Sequence, residues 1–219
     1  MDFKRIVIFS GHYGSGKTNI AVNVAHHLKK TRPRVAIADI DIVNPYFRTE
    51  DSREELERDG IRLIASPFAG SNVDLPALPD EVYAITDDIG LSAVVDVGGD
   101  DRGALALGRW REGLMAEGDW EMLMVVNCFR PLTRDADSAL EVMAEIQAAG
   151  MPFTGVVNNS NIGDDTAPRD VLSSDGYARE ICRRAGLPLK MTTAKAELIP
   201  YLEGKIENLF PLRLQDKIR

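Results

Sequence analysis

The residues best equipped for chemistry lie in one short run, Gly11-His12-Tyr13-Gly14-Ser15-Gly16-Lys17-Thr18. Gly11 and Gly16 meet the Walker A spacing G-x-x-x-x-G-K-[ST], in which backbone N–H groups converge on a phosphate and no side chain blocks its approach. The Lys17 ammonium then reaches the β and γ oxygens, and the Thr18 hydroxyl is offered to Mg²⁺. Gly11, Gly14, Ser15, Gly16, Lys17, Thr18 and Asn19 are therefore candidate nucleotide-binding residues. Such a loop needs a strand in front and a helix behind. Ile6-Val7-Ile8-Phe9 reads as a buried parallel strand. Behind the loop, Ile20, Val24 and Leu28, with Ala21 and Ala25, give helical spacing over residues 19–30, and the helix N-terminus points at the phosphates.

Acidic residues recur just past other apolar runs. Asp39 and Asp41 follow Val35-Ala36-Ile37-Ala38; two residues apart in an extended segment, they share one side and can face a magnesium-bound triphosphate. One can hold the metal's water shell while the other orients an attacking water. Asp96 follows Val94-Val95 and opens a D-x-x-G segment, the pattern of a Walker B magnesium ligand, with Gly99 offering its backbone N–H to a γ-phosphate. Loss of that phosphate would release residues 98–103, an order–disorder switch. Asn158 and Asn159 end a later apolar run, and an amide suits the edge of a purine, although Asn-Asn-Ser-Asn is also good turn chemistry. No N-K-x-D occurs, so guanine lacks its usual aspartate and ATP is favoured.

These residues need a scaffold of strands whose carboxyl ends meet. Apolar runs at residues 6–9, 35–38, 61–65, 93–95, 122–126, 154–157 and 189–192 read as strands. Helical patterns fall between them at residues 50–58, 81–88, 103–116, 134–149 and 171–185. Residues 40–50 and 67–80 read as irregular connections, residues 196–208 as a poor helix broken by Pro200 and Gly204, and residues 210–214 as a segment packing back on the domain. The alternation predicts an α/β fold: a doubly wound, mainly parallel sheet between helical layers, with residues 1–219 as a single P-loop nucleotide-binding domain.

Composition narrows the partners. A net charge of −8 over 219 residues disfavours a broad nucleic-acid surface. No run approaches the ~18 apolar residues of a membrane span, and the N-terminus enters the first strand too soon for a signal peptide, so a cytoplasmic protein is expected. Cys128 and Cys182 are far apart and read as small apolar residues, not metal ligands.

The segments 11–18, Asp39-Ile40-Asp41, Asp96-Val97-Gly98-Gly99-Asp100 and Val157-Asn158-Asn159-Ser160 together resemble the MinD/ParA/CobQ class of P-loop ATPases, which includes the nitrogenase iron protein. The resemblance spans most of the chain and implies ATP and Mg²⁺ as ligands. It implies Lys17, Asp41 and Asp100 as catalytic residues, with Asp41 positioning the hydrolytic water, and Thr18, Asp39 and Asp96 at the metal. Two departures stand out. The class's signature lysine, which crosses to a partner's nucleotide in dimeric members, is replaced by His12, with Arg48, Arg102 or His12 itself as substitute charges. The iron protein's cluster cysteine falls on Gly103, which argues against an iron–sulfur cluster.

Three functions compete. The first is a slowly hydrolysing ATP switch that regulates or matures a protein partner, with room for a nucleotide-dependent homodimer. The second is a small-molecule kinase or ligase, whose acceptor would need Tyr46, Phe47, Arg48 and residues 66–78. The third is a surface-assembling partition ATPase, against which the charge and His12 both count.

Overall fold

Strands rich in aliphatic residues, without polar alternation, must be covered on both faces. The computed structural model describes residues 1–40, 52–65, 80–99 and 101–214. In chain order they form β1 (Ile6–Ser10), α1 (Lys17–Lys29), β2 (Val35–Ile40), α2 (Arg53–Arg58), β3 (Ile61–Ala65), α3 (Asp80–Asp87), β4 (Ser92–Val97), α4 (Asp101–Glu117), β5 (Trp120–Val126), α5 (Ala136–Ala149), β6 (Gly155–Asn158), α6 (Pro168–Ala185), β7 (Leu189–Lys195), α7 (Ile199–Leu202) and β8 (Leu209–Leu212). The strands make one eight-stranded sheet in the order β3-β2-β4-β1-β5-β6-β7-β8. All of its pairings are parallel.

Side chains of alternate strand residues build two cores. Val7, Phe9, Ile37, Val94 and Val125 pack with Ile20, Val24 and Leu28 of α1 and Leu56 of α2. Ile6, Ile8, Ala38 and Val95 pack on the other face with residues of α3, α4, α5 and α6, among them Ile85, Trp110, Met143 and Ile181. The result is the α/β/α sandwich that the alternating pattern predicts. At the amino end of the sheet, Arg5 is buried; its Nε donates to Glu117 at 2.6 Å and its Nη1 to the carbonyls of Ile85 and Leu91 at 2.9 and 2.7 Å. This pair ties α3 and α4 to the start of β1.

The end of the chain departs from expectation. Residues 196–208 give only a three-residue 3₁₀ turn and the four-residue α7, and Leu209–Leu212 adds an edge strand parallel to β7. Pro211 is tolerated because it is exposed on the last strand of the sheet, where a missing N–H costs little. Among the described residues, no helix is long and apolar enough to cross a membrane.

Candidate functional site

The Walker loop leaves β1 at Ser10 and enters α1, whose first residues are Lys17 and Thr18. Gly11, at φ 141°, lies so close to β5 that a Cβ would come within 2.5 Å of the Val125 carbonyl oxygen. Only glycine lets the loop turn there. Lys17 is buried, and its Nζ donates to the His12 carbonyl at 3.3 Å, which draws the ammonium toward the first half of the loop. The Ser15 hydroxyl is buried without a hydrogen-bond partner among the described residues, a donor that a bound anion would satisfy. His12 turns its own Nδ1 to the Tyr13 carbonyl at 2.9 Å.

Asp39 and Asp96 sit inside the last turn of pleat of β2 and β4, where the parallel ladder pairs them directly. Neighbouring strands run about 4.8 Å apart, and paired residues project to the same face. Counting by twos from Ile37 and Val94, that face is the α1 side, where Thr18 begins the helix. Both carboxylates are buried, at 7% and 1% exposure, so two like charges share one dry corner beside an anion loop. Such an arrangement calls for cationic compensation. The donor set of hydroxyl and carboxylate oxygens fits a hard ion: Thr18, Asp39 and Asp96 would hold Mg²⁺ directly or through water, and the ion would neutralise charge on the β and γ oxygens.

The segment after β4 lies on the loop itself. A Cβ on Gly99 would overlap the Gly11 carbonyl oxygen and stand 2.8 Å from the Tyr13 nitrogen. The Gly99 backbone therefore touches the element that cradles phosphate. Gly103, in α4, faces the Gly98 carbonyl so closely that a Cβ would come within 2.6 Å of its oxygen, leaving no space for a cysteine at this place. Asp41, Asp100, Tyr46–Arg48 and residues 66–78 lie outside the described residues, as does the Arg102 side chain.

The asparagines correct a sequence expectation. Asn158 is fully buried on the α6 side: its Nδ2 donates to Ser174 Oγ at 2.9 Å, and its Oδ1 accepts from the backbone N–H and hydroxyl of Ser160 at 3.2 and 2.7 Å. It has no free edge for a purine. Asn159 faces α1 but is also engaged, donating to the Ser15 carbonyl at 2.6 Å and accepting from Thr193 Oγ1 at 2.5 Å. It ties the Walker loop to β7. Asn161 Nδ2 in turn donates to the Asn159 carbonyl at 2.7 Å, and Asn127 Nδ2 to the Asn161 carbonyl at 3.1 Å. Sequence reasoning missed Thr193, Asn127 and Asn161, which carry no motif.

Beside this network, a cleft of about 100 Å³ opens between the start of α1 and the ends of β6 and β7, with Gly16, Asn161, Thr193, Leu212 and Leu214 among its walls. No acidic side chain lines it among the described residues. The cysteines take no part: Cys128 and Cys182 are free thiols, and burial pushes Cys182 up to about 11. Among the described residues, no three His, Cys, Asp or Glu side chains are grouped to hold a metal by themselves.

A Walker loop on a parallel sheet, flanked by carboxylates on the neighbouring strands, defines a P-loop nucleotide-binding protein. Residues 6–183 match the CobQ/CobB/MinD/ParA nucleotide binding domain, and the chain belongs to that family. Comparison with curated proteins gives no match. Among solved structures it is similar to the cell division protein FtsY from Thermotoga maritima, at 18% identity and a TM-score of 0.60 over 99% of this chain and 66% of that one. It is also similar to chloroplast FtsY from Physcomitrella patens, at 16% identity and a TM-score of 0.60 over 88% and 59%. FlhF complexed with GTP/Mg(2+) matches at 11% identity and a TM-score of 0.55 over 88% and 66%. At these identities the likeness is one of fold, and the chain spans less than two thirds of each structure's length.

Proposed function

We propose that this chain is a magnesium-dependent ATP-binding switch that hydrolyses ATP slowly and regulates or matures a protein partner. The observation that carries it is the paired, buried Asp39 and Asp96 beside a Walker loop whose backbone touches Gly99. In this reading Lys17 and the loop amides hold the phosphates, Thr18 and the two carboxylates hold the metal, and Asp41 orients the attacking water. Gly99 then senses the γ-phosphate, and its contact with Gly11 and Tyr13 couples the nucleotide's state to α4. Residues 1–219 act as one cytoplasmic domain, with no nucleic-acid or membrane partner, and dimerisation, where it occurs, depends on the nucleotide.

ATP is preferred to GTP because, among the described residues, the cleft offers no carboxylate to the N–H groups of guanine. FlhF, of similar fold, binds GTP/Mg(2+), so both nucleotides belong in the test. Affinity for each is measured with magnesium, together with turnover and the oligomeric state with ADP and with a non-hydrolysable ATP analogue. The expected result is tighter ATP binding, slow turnover and a nucleotide-dependent change of state. Tight GTP binding with no ATP binding would overturn the base assignment. Negligible hydrolysis and one unchanging state, with phosphate passed to an added metabolite, would replace the switch with a kinase.

A further inference from the structure

Arg130 stands on the turn that follows β5. Since β5 pairs with β1 up to Ser10 and Met124, this turn and the Walker loop leave the sheet side by side. The turn is held firmly: the Arg130 N–H donates to the Asn127 carbonyl at 3.1 Å, and Thr133 Oγ1 donates to the same carbonyl at 2.8 Å. Pro131 restricts the residue before it to extended backbone, and Arg130 has φ −107° and ψ 135°. Its side chain is thereby launched from a fixed point.

That side chain lies on the loop. Arg130 Nε and Cδ are 3.7 and 3.9 Å from where a Cβ on Gly14 would stand. Arg130 is exposed and makes no side-chain hydrogen bond or ion pair among the described residues, whereas nearby Arg134 is paired with Asp135 at 3.3 Å. A guanidinium carries five donors in a planar fork suited to phosphate oxygens. The position is also the right one. Lys17, the residue that a Walker loop uses to reach the β and γ oxygens, has its Nζ 3.3 Å from the His12 carbonyl, so terminal phosphates held by it would lie near the first half of the loop, where Gly14 and Arg130 are.

We propose that Arg130 reaches the β,γ end of the bound triphosphate and stabilises the charge that develops there during hydrolysis. This rests on the nucleotide-binding function above. In that step a water oxygen bonds to the terminal phosphorus, and the bond from phosphorus to the bridging oxygen breaks. The bridging oxygen keeps the electron pair and leaves as part of the diphosphate, and the water's proton passes to the released phosphate. Arg130 donates to the oxygens that gain charge, an interaction stronger at the transition state than before it.

The test compares wild-type protein with Lys17→Ala, Arg130→Ala and Arg130→Lys, by equilibrium binding of ATP and of ADP with magnesium and by single-turnover hydrolysis. Arg130→Ala is expected to slow hydrolysis roughly 100-fold, with Arg130→Lys recovering part of the loss. It should also weaken ATP about fivefold while leaving ADP within about twofold, since the lost hydrogen bonds go to the terminal end. An Arg130→Ala protein with an unchanged ATP-to-ADP affinity ratio and rate, beside a Lys17→Ala protein that binds neither, would overturn the role of Arg130 and leave nucleotide binding standing. Where the wild-type protein binds ATP without hydrolysing it, an unchanged ratio alone overturns the role. A wild-type protein that binds neither nucleotide overturns both.

Discussion

The two ends of the sheet treat buried charge in opposite ways. At the amino end, Arg5 meets Glu117 at 2.6 Å and spends further donors on the backbone carbonyls that end α3 and start β4. Opposite charges are matched there, and the polar atoms mostly find partners within the protein. At the carboxyl end, Asp39 and Asp96 are paired in register as like charges, and the Ser15 hydroxyl has no partner among the described residues. The first arrangement sets opposite charges together; the second sets two acids side by side next to an anion loop. Burial alone does not separate the two ends, since both are buried; the sign of the charges brought together does.

Substitutions can break this contrast. Gly99→Val should have the largest effect: its side chain would collide with the Gly11 carbonyl and the Tyr13 amide, and nucleotide affinity should fall at least ~100-fold, read by titration with a fluorescent nucleotide. Arg5→Ala leaves the half-buried Glu117 without its cationic partner and should lower unfolding stability by about 3 kcal/mol in denaturant melts, with nucleotide affinity of the folded protein unchanged. Asp96→Asn should do the converse. The magnesium dependence of nucleotide binding should weaken by roughly tenfold or more, with a smaller loss of stability in melts than Arg5→Ala shows. Equal stability losses in Arg5→Ala and Asp96→Asn would erase the distinction between the two ends.

Smaller changes sharpen it. Asn159→Ala frees the Ser15 carbonyl and Thr193 and should cost about 1–2 kcal/mol of stability or affinity, equally for ATP and GTP, because the amide's hydrogen bonds tie the loop to β7. A loss confined to ATP would return Asn159 to base recognition. Asn23→Ala removes the bidentate clasp on the Arg213 backbone, where Nδ2 donates at 2.9 Å and Oδ1 accepts at 2.8 Å. The end of β8 should loosen by about 1 kcal/mol or less, seen as faster hydrogen exchange there with nucleotide affinity intact.

The loop between β1 and α1 was legible because a backbone that must turn tightly against neighbouring strands leaves glycines at fixed spacing in the sequence. Asp39 and Asp96 were legible singly, as acids at strand ends. Their pairing was not, because it depends on β2 lying next to β4, a fact of sheet order that no local pattern carries. Asn158 misled for a related reason: one residue of register decides whether an amide faces α6 or α1, and Asn158 falls on the α6 side. Arg5 gave no signal at all, since its partners lie 80 to 112 residues away. β8 was hidden by Gly204 and Pro211, residues that argue against regular structure unless the strand is known to be at an edge.

The most direct test of the account is calorimetric titration of ATP, with and without magnesium, into wild-type protein and Lys17→Ala. The site described here predicts saturable, magnesium-strengthened binding to the wild type and its loss in Lys17→Ala, with both proteins melting at similar temperatures. Equal binding by the two proteins, or binding to the wild type indifferent to magnesium, would contradict it.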